Sequence, residues 1–159
     1  MGSQLTAHAS ITMDAPAAKV WEALVNPEII KQYMFGTKVI SDWKVGSEII
    51  WKGVWQEKEY EDKGKILELQ PEKILKYSHF SPLAGQADVP ENYHTVTVEL
   101  QEGNSGTRIS LAQDNNPTEQ SREHSEKNWQ MMLDTLKKFL EKRKQNINKP
   151  NPDVSGLGL

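Results

Sequence analysis

The spacing of apolar positions changes period along the chain, and each change marks an element. Leu5 to Met13 alternates loosely and carries Ile11 and Thr12, which predicts a first strand. Asp14-Ala15-Pro16 then supplies a polar cap candidate and a first-turn proline, and Ala17, Val20, Trp21 and Leu24 recur at helical spacing. Asn26-Pro27 repeats the signal at once, followed by Ile29, Ile30, Tyr33 and Met34, so two short helices stand in tandem. From Phe35 to Leu111 the period falls to two. The spacing predicts strands over Gly36 to Ile40, Ser47 to Trp55, Tyr60 to Leu69, Lys73 to Phe80, Tyr93 to Gln101 and Thr107 to Gln113. Lys44-Val45-Gly46, the charged run Gln56 to Glu59, Gln70-Pro71-Glu72 and Glu102 to Gly106 are short enough to join antiparallel neighbours. Ser81 to Asn92, with Pro82, Gly85 and Pro90, is long for a hairpin and reads as a candidate lid or pocket rim, stiff at its ends and free in its middle.

The last element is a helix over Pro117 to about Lys144, roughly 40 Å long, opened by Asn116 as cap, Pro117 in the first turn and Glu119 at the capping-box position. Trp129, Met132, Leu133, Leu136, Phe139 and Leu140 form its apolar stripe. Asn146 to Leu159 has no period and reads as a flexible C-terminal tail, which leaves 5–145 as a single domain. A strand, two small helices, six further strands and one long helix are best satisfied by an α+β fold, with a curved antiparallel sheet of about seven strands gripping the final helix.

Composition fits this picture and removes several classes. A chain of 159 residues with 36% hydrophobic residues and five Trp can bury one core, with about two thirds of its unfolded surface removed on folding. With 19 Lys and Arg against 22 Asp and Glu, a net charge of -3 is too near neutral for a nucleic-acid field. The basic run Lys137 to Lys144 is interrupted by Glu141 and lacks interleaved aromatics, so it reads as a solvated face. Zero Cys removes disulfides, thiolate nucleophiles and Cys-ligated metals and suits a reducing compartment. No apolar run is long enough for a membrane span and the N-terminus lacks a signal-peptide pattern, so the expected location is cytoplasmic. Met1-Gly2-Ser3 reads either as native sequence or as a vector-derived addition.

The stretch ITMDAPAAKVWEALVNPEII from Ile11 to Ile30 resembles the entry of the SRPBCC (START-like, helix-grip) superfamily, in particular the branch similar to the activator of heat-shock protein 90 ATPase. Gly46, the run Gly64-Lys65-Ile66-Leu67-Glu68-Leu69-Gln70-Pro71 followed by Leu75-Lys76-Tyr77, Gly106-Thr107-Arg108-Ile109 and the Trp129 helix continue the likeness over about residues 8 to 143. The resemblance implies a single helix-grip domain with a cavity between sheet and helix, used across the superfamily for lipids, hormones or polyketides. The chain departs from it at position 79, where the family often carries Trp and this chain has His79, and in its individual Ser81 to Asn92 loop.

Strand parity indicates which residues face such a cavity. With Lys52, Lys76 and Glu99 outward, Ile49, Trp51, Gly53 and Trp55, then Leu75, Tyr77 and His79, and then His94, Val96, Val98 and Leu100 point inward, joined by Thr107, Ile109 and Leu111. Ile66 to Leu69 breaks the alternation and suggests a bulge. Trp51, Trp55, Tyr77 and Trp129, with Met132 and Leu133 from the helix and Phe35 at the rim, form the candidate ligand-binding set; a filled core is the alternative.

A hairpin symmetric about the long loop pairs position 79 with 94, 77 with 96 and 75 with 98. His79 and His94 then sit side by side, placed to hydrogen-bond a ligand or exchange protons, or simply satisfied by backbone or water. Asp62 shares parity with Gly64 and Ile66 and is the one acid that could face inward. His8 and His124 have no evident partner and are assigned to the surface.

No nucleophile motif, phosphate loop, dinucleotide fingerprint or metal spacing occurs, so neither a cofactor nor a metal is expected. The leading expectation is a non-catalytic domain that binds a small hydrophobic molecule. Two alternatives stand beside it: a cyclase- or hydratase-type enzyme with His79 and His94 as acid and base and Tyr77 as donor, and a chaperone ATPase activator-like accessory protein. The second is the weaker, because the activator in that family also relies on an N-terminal domain for which this chain has no room. Nothing in the pattern sets an oligomeric state.

Overall fold

The structure, a computed structural model, describes residues 5–148, with the side chains at 55, 84 and 143–148 outside the described residues. β1 (Leu5–Met13) buries Ala7, Ala9 and Met13 from alternate positions. It leads through Pro16 into α1 (Ala17–Val25), whose Ala17, Val20, Ala23 and Leu24 are buried. No side chain caps α1; Asp14, the expected cap, instead gives its backbone N–H to Glu141 at 3.1 Å. In α2 (Pro27–Tyr33) the expected device is present, with Asn26 Oδ1 accepting from the Glu28 N–H at 3.0 Å and Pro27 in the first turn.

The strands follow as β2 (Lys38–Ser41), β3 (Glu48–Trp55), β4 (Lys58–Gln70), β5 (Ile74–His79), β6 (His94–Gly103) and β7 (Gly106–Asn116). Among the described residues they form one seven-stranded antiparallel sheet in the order β1-β7-β6-β5-β4-β3-β2. The charged run after Trp55 closes more tightly than expected. Trp55 already pairs with Lys58, leaving a two-residue turn in which Gln56 and Glu57 both have positive φ, 51° and 69°. The suspected bulge lies in β4, where the register to β5 shifts between Ile66 and Glu68 and Leu67 turns outward.

α3 (Glu119–Asn148) starts later than Pro117 and continues through Asn146 to Asn148, which the pattern assigned to the tail. Residues 149–159 and Met1-Gly2-Ser3 lie outside the described residues. The opening of α3 also corrects the expectation for Asn116. Thr118 Oγ1 accepts the Ser121 N–H at 3.0 Å, whereas Asn116 is buried and ties three elements. Its amide donates to the carbonyls of Leu5 and Gln113, each at 3.0 Å, and its oxygen accepts from the Ser125 hydroxyl at 3.1 Å.

The α3 stripe lies against the inner face of the sheet. Leu133 and Leu136 are 0% exposed among Ile66, Val96, Ile109 and Leu111, and each such side chain is worth about 1.5–3 kcal/mol of burial. The flank of α3 runs along the outer edge of β1 and satisfies its backbone at alternate residues. Glu126 accepts from the His8 N–H at 3.0 Å, Gln130 donates to the Ser10 carbonyl at 3.1 Å and Lys137 donates to the Thr12 carbonyl at 3.1 Å.

Candidate binding cavity

The register brings the site together. Trp51 on β3 pairs directly with Asp62 on β4, while Tyr77 and His79 lie one strand further on β5. Gly64 permits this approach: a Cβ there would stand 1.7 Å from the Ser78 carbonyl oxygen, so only glycine lets β5 pass this close to β4. The Trp51 ring then lies 5.2 Å from Tyr77 and 5.0 Å, edge-on, from His79. His79 Nε2 meets Asp62 Oδ2 at 2.9 Å. A carboxylate oxygen can only accept, so His79 is the donor.

Behind these residues a cavity of about 130 Å³ opens between the sheet, α2 and α3. Its wall is mainly apolar: Trp51, Tyr77, Leu75 and Val98 from the sheet, Leu24 and Tyr33 from the short helices, and Trp129, Met132 and Leu133 from α3. Burial pushes the Tyr77 phenol well up, so its hydroxyl stays neutral. The Trp129 indole N–H donates to the Gln113 side chain, fixing the ring against the wall.

Thr37, Tyr60, Asp62 and His79 form a polar part of the lining. Thr37 gives its single hydroxyl proton to the Met34 carbonyl at 2.7 Å. The 2.7 Å contact between Thr37 Oγ1 and Tyr60 Oη is therefore donated by Tyr60. Both residues line the cavity beside Asp62 and His79. Asp62 Oδ1 is buried without a hydrogen-bond partner among the described residues.

Of the expected site residues, Trp51, Tyr77, His79, Trp129, Met132 and Leu133 all face this cavity. Phe35 does not: two residues beyond α2 it has φ 55° and is 76% exposed, because the positive φ turns it out of the helical stripe. The Trp55 side chain lies outside the described residues. His94 pairs with His79 as the hairpin symmetry required, and the rings are 6.4 Å apart. Its Nδ1, however, donates to the Asp114 carbonyl at 2.8 Å, and it lines a neighbouring polar cleft instead of the cavity.

None of the described residues of the Ser81 to Asn92 loop lines this cavity; Gln86, Glu91 and Asn92 instead border the neighbouring polar cleft that His94 lines, so the loop is a rim there. Asp88 pins it by an ion pair to Lys63 and by accepting the Tyr93 hydroxyl at 2.7 Å, and these bonds hold the Asp88 carboxyl below its ordinary range. Among the lining residues that parity did not single out are Tyr60, Thr37 and Trp43, which come from strand ends and turns where alternation carries no signal.

A curved antiparallel sheet closed by a long C-terminal helix, with an apolar cavity between them, defines a helix-grip domain. The chain belongs to the family described as activator of Hsp90 ATPase homolog 1-like protein, whose model matches residues 14–141. It is similar to ChR145 from Cytophaga hutchinsonii, with 57% identity over 91% of this chain and 99% of that one and a TM-score of 0.81. The fold is shared with NE0264 from Nitrosomonas europaea (23% identity, 88% and 96% covered, TM-score 0.71). It is shared also with the Aha1 dimer from Colwellia psychrerythraea (20% identity, 84% and 94% covered, TM-score 0.66). No curated protein matches the sequence.

Proposed function

We propose that the protein binds a small hydrophobic molecule in the cavity between its sheet and α3, with Trp51, Tyr77, Trp129, Met132 and Leu133 as the apolar wall and His79 in the polar part of the lining. The observation that carries this reading is the cavity itself, with aromatic walls and a few polar groups, the usual constitution of small-molecule sites. The volume of about 130 Å³ favours a ligand of one ring or a short branched chain, since an apolar cavity of about 150 Å³ holds benzene. The two-histidine acid and base scheme has no geometry here, because His94 is committed to a backbone carbonyl outside the cavity. The lack of cysteine supports a reducing, cytoplasmic setting. Among the described residues no helix is long and apolar enough to cross a membrane.

A thermal-shift and native mass-spectrometry screen of lipophilic metabolites and single-ring aromatics tests the proposal. A binder should raise the melting temperature with ligand concentration, as selective binding to the folded state requires, and should shift the indole signals of Trp51 and Trp129. No stabilisation by any compound class, with the indole signals unmoved, defeats it.

A further inference from the structure

The polar part of the cavity lining has a definite hydrogen-bonding sense. Asp62 Oδ2 is taken by His79, while Asp62 Oδ1 is buried and has no partner among the described residues. The Tyr60 proton is spent on Thr37, and the Thr37 proton on the Met34 carbonyl, so both hydroxyl oxygens have only lone pairs left. Three adjoining side chains therefore present acceptors, one of them a bare carboxylate oxygen. A buried acceptor without a partner is costly, and a charged one more so. The arrangement is matched by a ligand that brings a donor, and it disfavours ligands whose polar atom is itself an acceptor.

We infer that the cavity selects a single-ring molecule carrying one hydrogen-bond donor, such as a phenol or an aromatic amine, whose O–H or N–H docks on Asp62 Oδ1 while its ring lies against Trp51 and Tyr77. This rests on the binding reading above and narrows it to a chemical class. His79 acts as a positioning residue: by holding Oδ2 it fixes the carboxylate plane and leaves Oδ1 as the oxygen without a partner among the described residues. A ketone or an ether of equal size would set lone pair against lone pair at Thr37, Tyr60 and Asp62 and should bind more weakly. The volume sets the other limit, since about 130 Å³ admits one ring and not a fused system.

The test compares phenol with toluene, which share a shape and differ only in hydroxyl against methyl, by titration calorimetry on the full chain. The wild type should bind phenol at least tenfold more tightly than toluene, with anisole, an ether, weaker than phenol. Asp62→Val should reverse the preference, because the phenol hydroxyl would lose its acceptor. If Asp62→Val does not fold, the carboxyl carbon signal of Asp62 in the wild type supplies the same information: phenol should shift it and toluene should not. Toluene binding as tightly as phenol, or an Asp62 signal unmoved at saturating phenol, overturns the inference and leaves the hydrophobic-binding reading standing. Failure of both ligands to bind overturns the two together.

Discussion

Replacing Gly64 with alanine should cost roughly 4 kcal/mol of folding stability, and the figure follows from the crossing of β4 and β5. The new Cβ would stand 1.7 Å from the Ser78 carbonyl oxygen and 2.5 Å from its carbon, where ordinary contact begins near 3.4 Å. Both obstructing atoms are backbone, so no rotamer change relieves the overlap and the strands must separate. Separation on that scale breaks the paired bonds between Lys63 and Phe80, at 3.0 and 2.8 Å, and the bond from the Lys65 N–H to Ser78 Oγ at 2.9 Å. Each is worth about 1 kcal/mol net, and the residual strain of an overpacked site adds about 1–3 kcal/mol. The reduced freedom of the unfolded chain returns only about 0.4–1 kcal/mol. Urea unfolding followed by tryptophan fluorescence measures the difference. Gly103→Ala is the control, since no atom lies within 4 Å of its Cβ position, and it should change stability by less than about 0.5 kcal/mol. A loss below about 1 kcal/mol for Gly64→Ala would refute the close crossing as the device that brings His79 to Asp62.

Two further outcomes are expected. In the β3–β4 turn, Gln56 and Glu57 occupy left-handed conformations that favour Asn-Gly, so the double replacement Gln56→Asn and Glu57→Gly should stabilise the chain by about 1–2 kcal/mol in thermal or urea unfolding; destabilisation would argue against that turn. Glu126 is held below the ordinary glutamate range first by the His8 N–H, and Glu141 first by Lys137 and then by the Asp14 N–H. A carboxyl depressed in the folded state adds stability that is present above its unfolded value, about 4.3, and lost as the pH falls through the folded value. Glu126→Gln and Glu141→Gln should therefore lower the melting temperature at pH 7, with the difference from wild type shrinking below about pH 4.3; a difference constant across pH would contradict the assignment.

The pairing of His79 with His94 could be read from the sequence because two regular strands flank a symmetric loop, and in such a hairpin position alone fixes the register. The same reasoning placed Trp51 and Tyr77 on the inner face. It lost force at Asp62, since the slip at Leu67 changes the parity of β4 relative to β5 and the close crossing at Gly64 is a three-dimensional fact that spacing does not encode. Asn116 misled for a related reason. An Asn before Pro has the composition of a helix cap, but burial against β1 gave its amide the Leu5 carbonyl, the Ser125 hydroxyl and the nearby Gln113 carbonyl in place of the helix N–H groups. The Ser81 to Asn92 loop has the residues of a hinged lid; the Lys63–Asp88 ion pair, which joins positions far apart in the chain, ties it to β4, and the local Tyr93–Asp88 bond braces it.

The hydrogen bonds from α3 to the outer edge of β1 bear on how a ligand can get in. If the helix swung aside as a door, it would strip Glu126, Gln130 and Lys137 from β1 and leave a nine-residue strand with an open edge, a template for pairing with another chain. Every entry event would then carry a risk of aggregation. Movement confined to the side chains of Met34, Trp43 and Met132, all partly exposed where they line the cavity, carries no such hazard. The same bonds leave β2, four residues long, as the other end of the sheet, so growth by strand addition has little purchase on the folded molecule.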